Sequence, residues 1–208
     1  MFRTLRRVLR DGDIDEVRAV SFGGQHPLAA GARPGWYFEP GQHGGTLNDI
    51  AIHAFDLIPW LTGVEFARID AARTWNTYAK APHFQDGGQA LLTLANGAGV
   101  LGDVSYFVPD SFGYSLPHYW RVTVWGARGV AETGVNAGAV QVWANGEKEA
   151  RFVPADPPVS GGYLESFLRE MTGGRIEGDL DTAAGLRASR GALLAQRAAE
   201  QGAGGVVV

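Results

Sequence analysis

Between residues 66 and 153 the chain consists mainly of short segments of alternating apolar and polar residues, separated by turns that contain glycine. Two of these turns are Asn96-Gly97 and Asn145-Gly146, and Asn-Gly between two such segments is the strongest short signal of a β-hairpin. The alternation predicts strands at 66–77, 89–95, 99–108, 119–125, 129–133, 139–144 and 147–153, and an earlier one from Val17. Because hairpins join antiparallel neighbours, the sequence predicts one large, predominantly antiparallel sheet.

Apolar residues spaced three and four apart predict helices at 2–10, 46–61, 161–172 and 180–201. Thr46 is expected to cap the second helix, with Asp49 at its third position, and Gly63 is expected to end it. The order of strand, helix, many strands and helices is typical of an α+β domain whose helices cover one face of the sheet. We expect 1–15 to form a linker helix, 16–201 the domain, and 202–208 a flexible tail.

Composition excludes several classes of protein. The chain has no cysteine, which excludes disulfides and thiolate catalysis, and its net charge of −4 lacks the basic character of a nucleic-acid binder. Its apolar runs are shorter than the roughly 20 residues that cross a bilayer, and its basic N-terminus lacks the apolar core of a signal peptide. We therefore expect a cytoplasmic protein that binds neither nucleic acid nor membrane.

The helix at 46–61 carries the residues best suited to catalysis. Asp49, His53, Asp56 and Trp60 follow one another at spacings of four, three and four, which places them on one side of an α-helix. An imidazole with carboxylates one turn away on each side can be oriented and tuned as a general base. A purely structural interpretation also stays open, in which Asp49 caps the helix and His53 is an ordinary surface histidine.

Residues around this helix could complete a binding pocket. Residues 24–45 are rich in glycine and proline and form a long loop, and such loops are often functional. We expect Trp36, Tyr37 and Asn48 to line the pocket, where the aromatic rings could stack on a sugar-like ring. His43 could join Asp49 and His53 around a metal, but the spacing matches no metal motif and we predict none.

One segment matches a cofactor motif without its context. Residues 97–102 have the pattern G-x-G-x-x-G, which binds a dinucleotide when a strand precedes it and a helix follows. A strand-like segment follows here, so we predict a hairpin turn and assign no cofactor-binding residue.

Residues 44–63 carry the pattern G-G-x-x-x-D-x-x-x-H-x-x-D-x-x-x-W-L-x-G, which resembles the glucose–fructose oxidoreductase/inositol dehydrogenase/MocA-like (Gfo/Idh/MocA) family. Segments 16–20, 33–38 and 124–132, and the C-terminal helices, resemble that family in the same order, so the resemblance covers about residues 5–201. In this family a Rossmann domain that binds NAD or NADP precedes a C-terminal domain that binds substrate and pairs with other copies through its sheet.

The resemblance implies specific roles for two residues. Asp49 and His53 match the family's D-x-x-x-H pair, in which the histidine moves the hydroxyl proton of the substrate and the aspartate orients the substrate or the histidine. The substrate is expected to be a sugar- or polyol-like alcohol. The family's Rossmann domain is not found in this sequence, so we expect the chain not to bind NAD or NADP alone. Three interpretations stay open: a fragment, a truncated gene product, or one half of a split enzyme whose partner is a separate Rossmann-domain chain. The alternative is a non-catalytic module that binds a sugar or scaffolds a partner.

Overall fold

The computed structural model describes residues 1–158, 162–176, 179 and 181–208. The helices are α1 (Phe2–Arg10), α2 (Ile52–Thr62, preceded by a π-helical turn, Leu47–Ala51), α3 (Gly162–Met171) and α4 (Thr182–Gln201). The strands are β1 (Val17–Pro27), β2 (Phe66–Trp75), β3 (Gly87–Leu94), β4 (Gly99–Val108), β5 (Trp120–Gly126), β6 (Gly129–Gly134), β7 (Ala139–Ala144), β8 (Arg151–Pro154) and β9 (Val206–Val207).

These strands form one sheet in the order β8-β7-β6-β5-β1-β4-β3-β2-β9. Every neighbouring pair is antiparallel except β1 and β4, which run parallel in the middle of the sheet. The register pairs Gln25 with Ser105 of β4 and Gly24 with Trp120 of β5. The predicted, mostly antiparallel sheet is confirmed.

The two faces of the sheet differ in their surroundings. One face is covered by α1, α2 and α4, and alternate residues such as Val20, Val100 and Val124 point into a continuous apolar core there. The other face, called the open face below, keeps large apolar side chains 40–65% exposed; these are Leu91, Leu101, Phe107, Trp125, Trp143 and Phe152. The α+β architecture with helices on one face is therefore confirmed.

Both ends of the chain contact the rest of the domain, through the core at the N-terminus and through the sheet at the C-terminus. Leu5 and Val8 of α1 are fully buried in the main core, so α1 is part of the domain rather than a separate linker. The sequence predicts a flexible tail at 202–208, whereas the structure forms the short strand β9 there. Val206 and Val207 pair with β2, and the Val208 amide donates to the Ala67 carbonyl at 3.1 Å. Three valines after Gly202-Ala203-Gly204-Gly205 are too short a run to indicate a strand.

The hairpins and helix ends match the sequence patterns closely, with local differences. Residues 97–102 lie in the turn from β3 to β4 and in the start of β4, as predicted. β1 extends to Pro27, into the segment expected to be loop, while β8 begins at Arg151 rather than at 147. Asp181 caps α4 by accepting from the Ala184 amide at 2.6 Å. Positions 161 and 180, where two helices were expected to begin, lie outside the described residues.

Removal of residues 202–208 is expected to lower the free energy of unfolding by about 2 kcal/mol, because partly buried valines and ladder hydrogen bonds are lost. Urea unfolding followed by circular dichroism measures this change. Val207→Ser, at a side chain that is 72% exposed, serves as the control and should stay within about 0.5 kcal/mol of the parent. An unchanged midpoint after truncation would show that the tail contributes nothing to stability.

Candidate active site

The segment that enters α2 is wound differently from a regular α-helix. Residues Leu47–Ala51 form a π-helical turn, in which each turn holds more residues than the 3.6 of an α-helix. Thr46 does not cap this segment as predicted; it is buried, and its hydroxyl donates to the Gln85 carbonyl of the loop before β3. Asp49 lies within this π turn, whereas His53 lies in the first turn of α2.

The two glycines before the π turn are required by the local backbone conformation and packing. Gly44 and Gly45 have φ angles of 79° and 92°, which only glycine adopts without strain. A Cβ on Gly45 would overlap the side-chain amide of Gln196 from α4, whose Oε1 accepts from the Leu47 amide at 3.1 Å. This buried amide fills the space next to Gly45 and satisfies the start of the helix.

Asp49 is held by side chains from outside its own helix. Tyr37, in the loop after β1, donates to Asp49 Oδ2 at 3.1 Å, and Tyr106 of β4 donates to the same oxygen. The Nε2 atom of His43 lies 3.0 Å from the Tyr106 hydroxyl and 3.6 Å from Asp49 Oδ2. Both tyrosine hydrogen bonds end on Oδ2, and the Asp49 side chain is 43% exposed, so Oδ1 is the oxygen left for a ligand.

This arrangement fixes the charge of the cluster. Partial burial acts to raise the pKa of Asp49, but contact with His43 and hydrogen bonds from Tyr106 and Tyr37 outweigh it and hold that pKa well below its ordinary value. Burial raises the pKa of Tyr37 to about 12, and burial together with the Asp49 charge raises that of Tyr106. At neutral pH the cluster is therefore an ionised carboxylate with two protonated phenols as donors.

His53 lies one turn further along and is exposed to solvent. Its ring meets the indole of Trp120 edge-on, with 5.8 Å between the ring centroids. Within the described residues, Asp49 and His53 make no hydrogen bond to each other; the carboxylate near His53 is Asp56. Burial raises the pKa of Asp56, against the opposing influence of the His53 imidazole. The expected role of Asp49 in orienting His53 thus has no contact to support it.

A second imidazole, that of His26 at the end of β1, faces the same region. The Trp120 indole nitrogen donates to His26 Nε2 at 3.2 Å, so this nitrogen is the unprotonated one and the ring proton is on Nδ1. Burial among aromatic rings, more than the charges of Asp49 and His53, sets the pKa of His26, which is lowered to about 4. His26 is therefore a neutral imidazole at physiological pH.

The predicted pocket residues separate in the structure. Tyr37 is buried in the Asp49 cluster, Asn48 is half-buried in the π turn, and Trp36 is 54% exposed beside the Tyr37 ring. His43 joins Asp49, but His53 does not join them, and the described residues contain no group of three metal-ligating side chains.

Sequence reasoning missed three residues of this region: His26, Tyr106 and Trp120. Each is distant in sequence from the D-x-x-x-H pattern, so no spacing indicates the contact. The alternation in β1, β4 and β5 does place these three residues on the covered face, which is the signal that could have brought them together.

The model for the GFO/IDH/MocA C-terminal domain matches residues 2–132 of the chain. The chain belongs to the GFO/IDH/MocA family. Inositol 2-dehydrogenase 1 of Saccharopolyspora erythraea is 30% identical over 187 residues, which cover 80% of this chain and 52% of that protein. The chain thus spans about half the length of this curated relative.

Solved structures of oxidoreductases share the fold. A protein of Thermotoga maritima, described as a candidate oxidoreductase, superposes with a TM-score of 0.83 at 26% identity. The match covers 100% of this chain and 60% of the Thermotoga chain. An oxidoreductase from Agrobacterium radiobacter was solved in complex with NAD⁺, L-tartaric acid and magnesium. It superposes with a TM-score of 0.73 at 20% identity, and the match covers 97% of this chain and 60% of the Agrobacterium chain.

In this GFO/IDH/MocA chain, the G-x-G-x-x-G segment does not fit a dinucleotide. Residues 97–102 form a hairpin turn and the start of β4, whereas pyrophosphate binding requires the N-terminus of a helix after the glycines. We therefore assign none of these glycines to a cofactor. The described helices include none that is long and apolar enough to span a membrane.

Tyr106→Phe is expected to raise the pKa of Asp49, by roughly one unit, because the carboxylate loses a strong donor. The depressed pKa stabilises the fold above the ordinary carboxyl pKa, and this contribution is lost as the pH falls. The variant should therefore be less stable than the parent at pH 7, and this difference should shrink in acid. Carboxyl ¹³C NMR titration measures the pKa, and Tyr114→Phe is the control. Equal Asp49 pKa values in parent and Y106F would contradict the assigned contact.

Proposed function

We propose that the chain is the substrate-binding domain of an NAD- or NADP-linked oxidoreductase that acts on a secondary alcohol of a sugar or polyol. The observation that carries this proposal is the placement of two unlike groups on the covered side of the sheet. Asp49 is an ionised acceptor fixed by two tyrosine hydroxyls on one oxygen, and His53, one turn away, is an exposed imidazole in the family's D-x-x-x-H pattern.

Asp49 and His53 have different roles toward a hydroxylated substrate: one binds it and the other transfers a proton. Asp49 Oδ1 accepts a hydrogen bond from one substrate hydroxyl and fixes its position, since Oδ2 is already occupied. His53 takes the proton of the reacting hydroxyl as general base, or returns it in the reverse direction. Asp49 is therefore assigned to the substrate rather than to the histidine. Neutral His26, with its remaining N–H on Nδ1, supplies a further donor beside them.

Oxidation of the alcohol balances as the loss of a proton and a hydride. The O–H bond breaks and its proton goes to His53, while the C–H bond breaks with its electron pair and a carbonyl forms. A nicotinamide supplies the hydride acceptor when it is bound. The chain spans about half of its curated relative, so we assign the nucleotide-binding part to a segment joined to this chain or to a separate chain.

Activity is expected when the full chain is combined with a nucleotide-binding domain. We suggest the part of S. erythraea inositol 2-dehydrogenase 1 that this chain does not match, with NAD⁺ and myo-inositol, and NADH formation at 340 nm as the readout. His53→Ala should lower kcat by about 10²- to 10⁴-fold, the usual contribution of a general base, with a smaller effect on KM.

His118→Ala is the matched control, because His118 is an exposed imidazole in the turn before β5 and should leave kcat unchanged. Equal kcat values for H53A and the parent would remove His53 from the mechanism. Binding of myo-inositol to the chain without any NAD-linked turnover would favour the alternative of a non-catalytic sugar-binding module.

We further propose that two copies pair through the open face of the sheet. Its six large apolar side chains are 40–65% exposed, and they surround a polar cluster in which Gln25 and Gln89 donate to Asp103 at 2.9 and 3.1 Å. Exposed apolar area of this extent, crossed by ordered polar groups, is typical of protein interfaces.

The double variant Leu101→Lys/Phe107→Glu is expected to convert a dimer into a monomer, because charge would be buried in the centre of the interface. Sedimentation velocity of the full chain at micromolar concentration measures the change. Leu186→Glu, at a residue of α4 that is 66% exposed, is the control and should leave the dimer intact. A parent chain that sediments as a monomer at all concentrations would refute this proposal.

A further inference from the structure

An arginine in the loop after β1 lies beside the candidate active site. The Arg33 guanidinium stacks on the ring of Tyr37, with its central carbon 4.6 Å from the ring centroid. The hydroxyl of the same tyrosine donates to Asp49 Oδ2 at 3.1 Å. One side chain, Tyr37, therefore carries a cation on the face of its ring and holds the ionised carboxylate of the site at its hydroxyl.

The same guanidinium lies near His26, at the end of β1. Burial is the main cause of the lowered pKa of His26, and three charges act on this imidazole as well: those of Asp49, His53 and Arg33. Coulomb interactions weaken with distance, so these three side chains lie around His26. The ring of His26 also meets that of Tyr106 edge-on, with 6.3 Å between the centroids. Arg33 thus borders the region that holds the proposed base and the proposed hydroxyl acceptor.

The terminal nitrogens of Arg33 are not used by the protein. Its Nε donates to the Leu28 carbonyl at 3.0 Å, which fixes the plane of the half-buried guanidinium. In the part of the chain that the structure describes, Nη1 and Nη2 donate to no acceptor and form no ion pair with a carboxylate. By contrast, the half-buried guanidinium groups of Arg151 and Arg169 are each paired with an aspartate, at 2.8 and 2.7 Å. The outer edge of Arg33 is therefore available to an anion.

The charges of the site favour one kind of anion. Two parallel N–H groups of a guanidinium match the two oxygens of a carboxylate. Arg33 lies beside the ionised Asp49, and His26 is neutral, so the described groups compensate one added negative charge at most. A phosphate ester carries nearly two negative charges at neutral pH. The site therefore suits a carboxylate better than a phosphate.

We propose that Arg33 binds a carboxylate of the substrate, which makes the substrate a sugar acid rather than a neutral sugar or polyol. This inference rests on the proposed function and narrows its substrate class. A sugar acid has several similar hydroxyls, and a carboxylate held at Arg33 fixes the direction in which the molecule lies. Asp49 then positions one hydroxyl, and the reacting hydroxyl reaches His53 at a distance from the charged end.

Binding of two matched ligands to the full chain tests the proposal. D-Gluconate and D-glucitol share a hydroxylated chain, but only D-gluconate ends in a carboxylate. In isothermal titration calorimetry the parent should bind D-gluconate about tenfold more tightly or better, because a charged hydrogen-bonded pair is added. Arg33→Gln should lose this preference and bind D-glucitol like the parent. Arg33→Lys should keep part of it, because the charge remains and the planar fork is lost.

Arg73→Gln is the matched control and should keep the preference of the parent. The Arg73 guanidinium also stacks on an aromatic ring, that of Trp75 at 4.7 Å, but it belongs to β2, where Trp75 meets Phe107 of the open face. Equal affinity of the parent for both ligands, or equal weakening of both in R33Q, would overturn the proposal, since the second result indicates a purely structural role.

Two further results would overturn the carboxylate site. One is a parent chain that binds no D-gluconate at about 10 mM, a concentration that detects even weak binding. The other is tighter binding of D-glucitol 6-phosphate than of D-gluconate, because the preferred anion would then be a phosphate.

The outcome can be separated from that of the proposed function. Turnover of myo-inositol that depends on His53, together with equal affinities for D-gluconate and D-glucitol, would retain the oxidoreductase and reject the carboxylate site. A preference for D-gluconate that depends on Arg33, without NAD-linked turnover of any of these ligands in the combined enzyme, would retain the carboxylate site and reject the catalytic assignment.

Discussion

The parallel pairing of β1 with β4 is the constraint on which the site depends. Two parallel neighbours cannot be joined by a tight turn, so the chain leaves the sheet after Pro27, returns as β2 at Phe66, and reaches β4 only after β3. The connection carries α2 across the covered face, over the ends of the central strands. Three strand residues, His26, Tyr106 and Trp120, then lie beneath the start of α2, each within reach of Asp49 or His53.

The candidate site combines a rigid carboxylate with an accessible imidazole. Asp49 is fixed because Tyr106 is buried and its raised pKa keeps the phenol protonated, so the donor to Oδ2 is present at every physiological pH. His53 has only the edge of Trp120 as a ring contact among the described residues, and solvent reaches it. In the proposed function, exposure lets His53 exchange protons with water and rigidity lets Asp49 position a hydroxyl, so the two environments suit the two proposed roles.

Local patterns predicted much of this fold because its sheet is built mainly from hairpins. Asn-Gly turns and alternation locate most of β2 to β7, and the αL glycine at 63 ends α2 as expected. The contacts of Asp49 could not be predicted in the same way. They come from Tyr37 and Tyr106, which are 12 and 57 residues away. The periodicity of an α-helix groups Asp49 with His53, but it carries no information on the two tyrosines that hold Asp49.

The open face and the helix-covered side have different places in the proposed assembly. A pair of copies related by a twofold axis through the open face buries the same patch on both, and leaves the helix-covered side of each copy outward. Asp49 and His53 lie on that outward side, so in the proposed pair neither copy covers the candidate site of the other.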